Sequence, residues 1–207
     1  MPARAQPMDE TLGVILAGGL ARRMGGGDKA LRSIGGQTVL ARLIERMVPQ
    51  VSGLVLNANA DAARFADYGL PVVPDSLPDH PGPLAGVLAG LDWALAHAPD
   101  ARWIVTAPGD APFLPTDLVT RLHAGRGVAL FACAASGGRT HPVAALWPVS
   151  VRDELHAAIT AGQRKIDAFT RTERTAVIEW PLGDMDPFFN VNTPEDLLRA
   201  ERLAAPR

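Results

Sequence analysis

The chain has 207 residues, enough for one full hydrophobic core without disulfide or metal staples, and its 47% hydrophobic and 20% charged residues exclude both a mini-protein and a disordered tail. A net charge of -2 supplies neither the basic field that draws nucleic acid nor a polybasic membrane patch, and the lone Cys133 excludes an internal disulfide. No apolar run approaches the roughly 20 residues of a membrane span, and the first ten residues lack a signal-peptide core, so a cytoplasmic protein with no nucleic-acid or membrane partner is expected.

Residues 1–10, rich in Pro, Ala and Gln, read as a flexible leader, with one domain over 11–207. Thr11 to Ala17 is an apolar run cut off by Gly18-Gly19 and predicts a buried strand. A glycine-rich loop follows to about Lys29, and Val39, Leu40, Leu43, Ile44 and Met47 fall at helical spacing from Thr38 to Met47. Strands are predicted at Gly53 to Leu56, Pro71 to Pro74 and Arg102 to Thr106, and helices at Asp61 to Tyr68, Leu84 to His97 and Pro115 to His123, the last opened by Thr116 and Asp117. This alternation argues for an α/β fold, a mostly parallel central sheet with helices on both faces.

Beyond Gly127 the pattern changes. Val128 to Ala134 and Pro142 to Trp147, separated by Ser136-Gly137-Gly138, suit a small antiparallel part. Val151 to Ile159 and Gln163 to Phe169 read as helices, and Ala176 to Trp180 as a last strand. Thr193 caps a terminal helix with Pro194 in its first position.

The segment from Leu16 to Lys29 joins a buried strand to a helix with five glycines, two arginines and a lysine. Glycines let backbone N–H groups approach an anion closely, Arg offers forked donors and Lys a point charge, a composition suited to phosphates. Lys29 is preceded by Asp28 and followed by Ala30, so the mononucleotide P-loop pattern fails. Gly25 to Ala30 satisfies a loose dinucleotide pattern but lies too far past the strand for the tight first turn. The chain uses Arg for 18 of its 20 Lys and Arg residues, so a lysine here marks a place where a compact charge is wanted.

Ala107-Pro108-Gly109-Asp110 follows an apolar run and puts a carboxylate at a strand's carboxyl end, where a hard oxygen ligand could hold Mg²⁺ against phosphates; an Asp in a Pro-Gly turn is the plain alternative. Asn57, Asn59 and Asp75 sit at matching strand ends, where polar side chains could read a base or ribose or simply form turns. Pro81 to Gly86 enters a helix with small residues, and Asn190 and Asn192 lie beside a helix N-terminus.

The order of these segments resembles the molybdenum cofactor guanylyltransferases of the nucleotidyltransferase superfamily over most of the chain. Residues 14–31 are similar to that family's opening signature, and the likeness continues through Asn57-Ala58-Asn59, Asp75-Ser76-Leu77, Gly82 to Gly86, Asp110-Ala111-Pro112 and Asn190 to Pro194. The resemblance implies a Rossmann-like nucleotidyltransferase fold and transfer of GMP from Mg-GTP to molybdenum-molybdopterin, yielding the guanine dinucleotide cofactor and pyrophosphate. It further implies that Leu16, Ala17 and Gly18 meet the guanine end, Gly19, Arg23 and Lys29 the phosphates, and Asn57 and Asp75 the nucleoside. Asp110 would hold Mg²⁺, and Asn190 and Asn192 would serve the molybdopterin side. Lys29, Arg23 and Asp110 are thus the expected catalytic groups.

Gly109 departs from the cysteine or other small residue expected before the aspartate, a difference expected to leave the metal ligand undisturbed. A cytidylyltransferase for the same pterin and a sugar-phosphate nucleotidyltransferase share the glycine-rich opening, although Leu16-Ala17-Gly18-Gly19 resembles the guanylyl branch. A non-catalytic nucleotide carrier is the rival from outside the enzymes. Hand-over of the product to molybdoenzyme apoproteins or their chaperones is compatible with the enzymatic reading.

Overall fold

The computed structural model describes residues 8–18, 28–59, 61–77 and 82–204. Its strands are β1 (Met8–Leu16), β2 (Ser33–Ile34), β3 (Gln37–Thr38), β4 (Val51–Asn57), β5 (Val72–Val73), β6 (Trp103–Pro108), β7 (Phe131–Ser136), β8 (Arg139–Pro148) and β9 (Thr175–Trp180). The helices are α1 (Val39–Met47), α2 (Pro83–His97), α3 (Leu118–Arg126), α4 (Arg152–Thr160), α5 (Ile166–Thr170) and α6 (Pro194–Ala204).

Seven strands form one sheet in the order β5-β4-β1-β6-β8-β7-β9. Every pairing is parallel except those of β8, which runs against β6 and β7. The buried residues divide by sheet face. Ile15, Ala132 and Leu146 face α1, α3 and α6, while Leu12, Val14 and Trp147 face α2, α4 and α5. Being covered on both sides, β1 is a near-continuous apolar run rather than an alternating one.

β1 begins at Met8, three residues before the predicted start, so Met8 to Glu10 extend a strand and do not belong to a leader. The register explains it: Met8 pairs with Val51, and Arg102 N–H donates to the Glu10 carbonyl. The rest of the expected leader lies outside the described residues. Sequence reading also passes over the β2–β3 hairpin, whose two linking residues, Gly35 and Gly36, both take positive φ (58° and 80°) as a tight hairpin turn requires.

Helix starts follow local chemistry where it is present. Thr38 Oγ1 accepts from Ala41 N–H at 3.1 Å to open α1, and Thr193 Oγ1 accepts from Asp196 N–H at 3.1 Å to open α6. The Asp196 carboxylate reaches back to Asn192 and Thr193 N–H, both at 3.0 Å, completing a reciprocal cap. α3 differs, starting at Leu118 and not Pro115. The Asp117 side chain is drawn off to Trp180 Nε1 at 2.9 Å, and the buried Gln50 caps Val119 N–H at 3.0 Å instead. The helix predicted over Asp61 to Tyr68 is a 3-10 helix, Ala62–Tyr68, capped by Asp61.

The chain leaves β1 toward β4 and β5 on one side, then crosses through α2 to β6 on the other. The strand order therefore reverses at β1, and a crevice opens beyond the carboxyl ends of β1, β4 and β6. Among the described residues, no helix is long and apolar enough to cross a membrane.

Candidate functional site

A cleft of about 410 Å³ lies at this reversal point, within the range of small-molecule sites. Leu16, Ala17 and Gly18 enter it from the end of β1, Asn57 and Asn59 from β4, Asp75 from β5, Gly109 and Asp110 from β6, with Lys29, Gly82 and Asn190 arriving from loops. Backbone bonds fix the rim: Ala17 N–H donates to the Asn57 carbonyl and Gly109 N–H to the Leu16 carbonyl, each at 2.9 Å. Of the sequence-derived candidates, Gly19 and Arg23 lie outside the described residues, and Asn192 does not line the cleft but bonds to Lys29, which does.

One end of the cleft is a polar clasp. The buried Asn57 donates through Nδ2 to the Val73 carbonyl at 3.1 Å and to Asp75 Oδ1 at 2.9 Å. Asn59 donates to Asp75 Oδ2 at 2.6 Å and accepts from Asp75 N–H at 2.7 Å. Two asparagines thus hold Asp75 by three bonds, two to its carboxylate and one from its backbone N–H. Asn59 gains a role here that its sequence position alone did not distinguish from a turn.

α2 closes over this end because Gly86 has no side chain. A Cβ there would stand 2.3 Å from Asn57 Oδ1 and 3.0 Å from Leu16 Cδ2. The Gly109 departure has a similar basis, since a Cβ at that position would meet the Leu16 carbonyl oxygen at 2.8 Å and Ala17 Cα at 2.9 Å. Both obstacles are backbone, so in this chain a larger residue before Asp110 must push on the Leu16–Ala17 rim.

The other end is charged. Lys29 Nζ donates to Asn192 Oδ1 at 2.5 Å and stands 3.7 Å from Asp110 Oδ2. Val191 N–H donates to the Asp110 carbonyl at 2.8 Å, locking the late segment against β6. Asp28, beside Lys29, is anchored by Arg64 at 2.6 Å. Burial pushes the Asp110 carboxyl above the usual carboxylate range, and the Lys29 ammonium pulls it only partly back. A carboxylate so poorly hydrated has raised affinity for a cation as well as for a proton.

Asp110 offers a hard oxygen donor whose side chain keeps 20% exposure toward the cleft. No group of three His, Cys, Asp or Glu residues suited to a metal exists among the described residues. Such a donor set fits Mg²⁺, which is commonly held by one or two carboxylates with substrate phosphates and water completing its shell. Cys133 lies away from the cleft, buried in β7, and burial pushes its thiol up to about 11.

The profile of the MobA-like NTP transferase domain matches residues 13–177. The molybdenum cofactor guanylyltransferase of Rhodopseudomonas palustris (strain BisB5) is 56% identical over 99% of this chain and 98% of its own length. Among solved structures, the molybdopterin-guanine dinucleotide biosynthesis protein A of Archaeoglobus fulgidus superposes with a TM-score of 0.71 at 27% identity, covering 93% of this chain and 97% of that one. The 4-diphosphocytidyl-2C-methyl-D-erythritol synthase of Anaerococcus prevotii shares the fold alone, with a TM-score of 0.71 at 13% identity over 93% of this chain and 95% of that one. With a reversal-point cleft that carries the Leu-Ala-Gly rim, the lysine and the strand-end aspartate, and with near-full-length identity of this order, the chain belongs to the molybdenum cofactor guanylyltransferase family.

Proposed function

We propose that the cleft binds GTP and transfers its GMP to molybdenum-molybdopterin, forming the guanine dinucleotide cofactor and releasing pyrophosphate. The observation that carries this reading is the convergence of Lys29, Asp110 and Asn192 at one end of a cleft whose other end is the Asn57–Asn59–Asp75 clasp. A nucleotide laid between them sets its base and ribose by Leu16 to Gly18, Asn57 and Asp75, and its phosphates by Lys29, with Gly19 and Arg23 assigned to the same phosphates from sequence.

The acceptor is a phosphate monoester, largely dianionic near neutral pH because its second pKa is about 6. Its oxygen attacks the α-phosphorus directly, a new P–O bond forms, and the bond to pyrophosphate breaks. No general base is required. The protein's work is to bring two anions together, and Lys29 does so with a charge already oriented by Asn192. Asp110, with Asn190 beside it in the cleft, would hold Mg²⁺, which when bound neutralises charge on the phosphate oxygens. Asn190, in the cleft lining, is assigned to the acceptor, and Asn192 to the same side through its hold on Lys29. The same reading places the protein in the cytoplasm with GTP, and leaves room for hand-over of product to molybdoenzyme apoproteins.

The test is a transfer assay with molybdenum-molybdopterin, Mg²⁺ and GTP, CTP, ATP or UTP in turn, following dinucleotide and pyrophosphate. Product from GTP alone is expected. Product from CTP would overturn the base assignment, and GTP binding without turnover would make the protein a carrier.

A further inference from the structure

Between the end of β9 and the start of α6, residues 181–193 form neither helix nor strand, yet they deliver Asn190 and Asn192 to the site. Their position therefore depends on side-chain ties. One set of ties meets at Phe188. Asp186 Oδ1 accepts from Phe188 N–H at 2.9 Å and from Ser136 Oγ at 2.7 Å. His141 Nε2 lies 2.7 Å from the same Ser136 oxygen. Its ring stacks on Phe188 with centroids 4.5 Å apart and planes at 21°. Trp180 closes the far side of Phe188 edge-on at 5.4 Å.

The proton count fixes the direction of the chain. A hydroxyl has one proton, and Ser136 spends it on the carboxylate of Asp186, so its lone pair accepts from His141 Nε2–H. The imidazole is held in one tautomer and one orientation by a buried serine that is 1% exposed. Three residues after Phe188, the fully buried Val191 is bonded to the Asp110 carbonyl, and the next residue, Asn192, takes the Lys29 ammonium.

We propose that Ser136, His141 and Asp186 form a clasp that positions the Asn190–Asn192 segment, making His141 a positioning residue that acts through Asn192 on Lys29. The kinetic part of this inference rests on the guanylyl-transfer reading; the placement of Lys29 does not. If the clasp loosens, Phe188 shifts, Asn192 retreats, and Lys29 loses the partner that aims its charge into the cleft.

The experiment compares wild type with His141→Phe, which keeps a flat ring against Phe188 but removes the donor, and His141→Gln, which restores an N–H toward Ser136. The chain has two lysines, Lys29 and Lys165, so labelling by an amine reagent read by peptide mass spectrometry gives the Lys29 to Lys165 ratio with an internal control. His141→Phe is expected to raise that ratio severalfold, and to lower kcat/KM for molybdenum-molybdopterin roughly tenfold, as a sub-ångström misplacement does. GTP binding should weaken with the loss of that aimed charge, and His141→Gln should recover most of each change. Added to Asn192→Ala, His141→Phe should cost nothing further. An unchanged labelling ratio, or kinetic losses that multiply with those of Asn192→Ala, would overturn the proposal. Were the wild type to make no dinucleotide at all, the functional reading would fall while the labelling ratio still decided the clasp.

Discussion

Replacing Gly86 by alanine tests how tightly α2 is fitted over the nucleoside end of the cleft. The new methyl carbon would lie 2.3 Å from Asn57 Oδ1, about 1 Å short of ordinary contact, and 3.0 Å from Leu16 Cδ2. Either α2 lifts from the sheet or the Asn57 amide swings away. The first costs about 1–3 kcal/mol of overpacking. The second breaks the bonds to the Val73 carbonyl and Asp75 Oδ1, each contributing about 1 kcal/mol. By either route a loss of about 1–3 kcal/mol is expected, which in a chain of this size lowers Tm by about 2–12 °C. Thermal melts and GTP calorimetry on Gly86→Ala provide the assay, with weaker GTP binding expected because Asp75 loses a partner. In the Asn57→Ala background the methyl has room, so the second substitution should add little. A Gly86→Ala protein that melts and binds GTP like wild type would refute the packing argument.

Three further outcomes are expected. Asp110→Asn should reduce GMP transfer roughly a hundredfold at limiting Mg²⁺ while sparing GTP binding measured without metal, since it removes charge and little volume; full transfer under those conditions would remove Asp110 from the metal site. Because burial holds the Cys133 thiol near 11, against an ordinary 9.0, native protein at pH 8 should resist thiol reagents until denaturant is added. The folded state keeps that proton longer than the unfolded one, so Cys133 contributes stability below pH 9 that is lost toward pH 11, and Cys133→Ser should flatten the decline in Tm. His123 and His141 are both pushed below the ordinary 6.5 by burial, so the unfolded chain takes up protons first and Tm should fall as pH drops below about 6.5. Melts of His123→Gln, which keeps a partner for Thr11 Oγ1, should show a weaker acid slope.

The alternation of apolar runs and amphipathic segments is enough to read a mostly parallel sheet covered on both faces, because burial on two sides keeps the paired parts of β1 and β6 almost wholly apolar. Thr193 marks its helix in the sequence because a cap is a local bond, spanning three residues. α3 begins three residues later than its local pattern predicts because its cap comes from Gln50, 69 residues away, and no local pattern carries that. β1 likewise starts earlier than its apolar run, its first residues being set by pairing with β4 and by Arg102.

For the site, residue type at strand ends points to Asn57, Asp75 and Asp110 as candidates, and the glycine-rich loop composition to Lys29. Sequence could not say that Asn192 turns to Lys29 across 163 residues, that Asn59 completes the hold on Asp75, or that Gly86 and Gly109 are glycines because atoms of Asn57 and Leu16 occupy the space a side chain would need. Periodicity and capping are written in neighbouring residues and survive in the one-dimensional string. Which side chains face one another over a cleft is fixed by strand order and helix packing, and those exist only once the chain has folded.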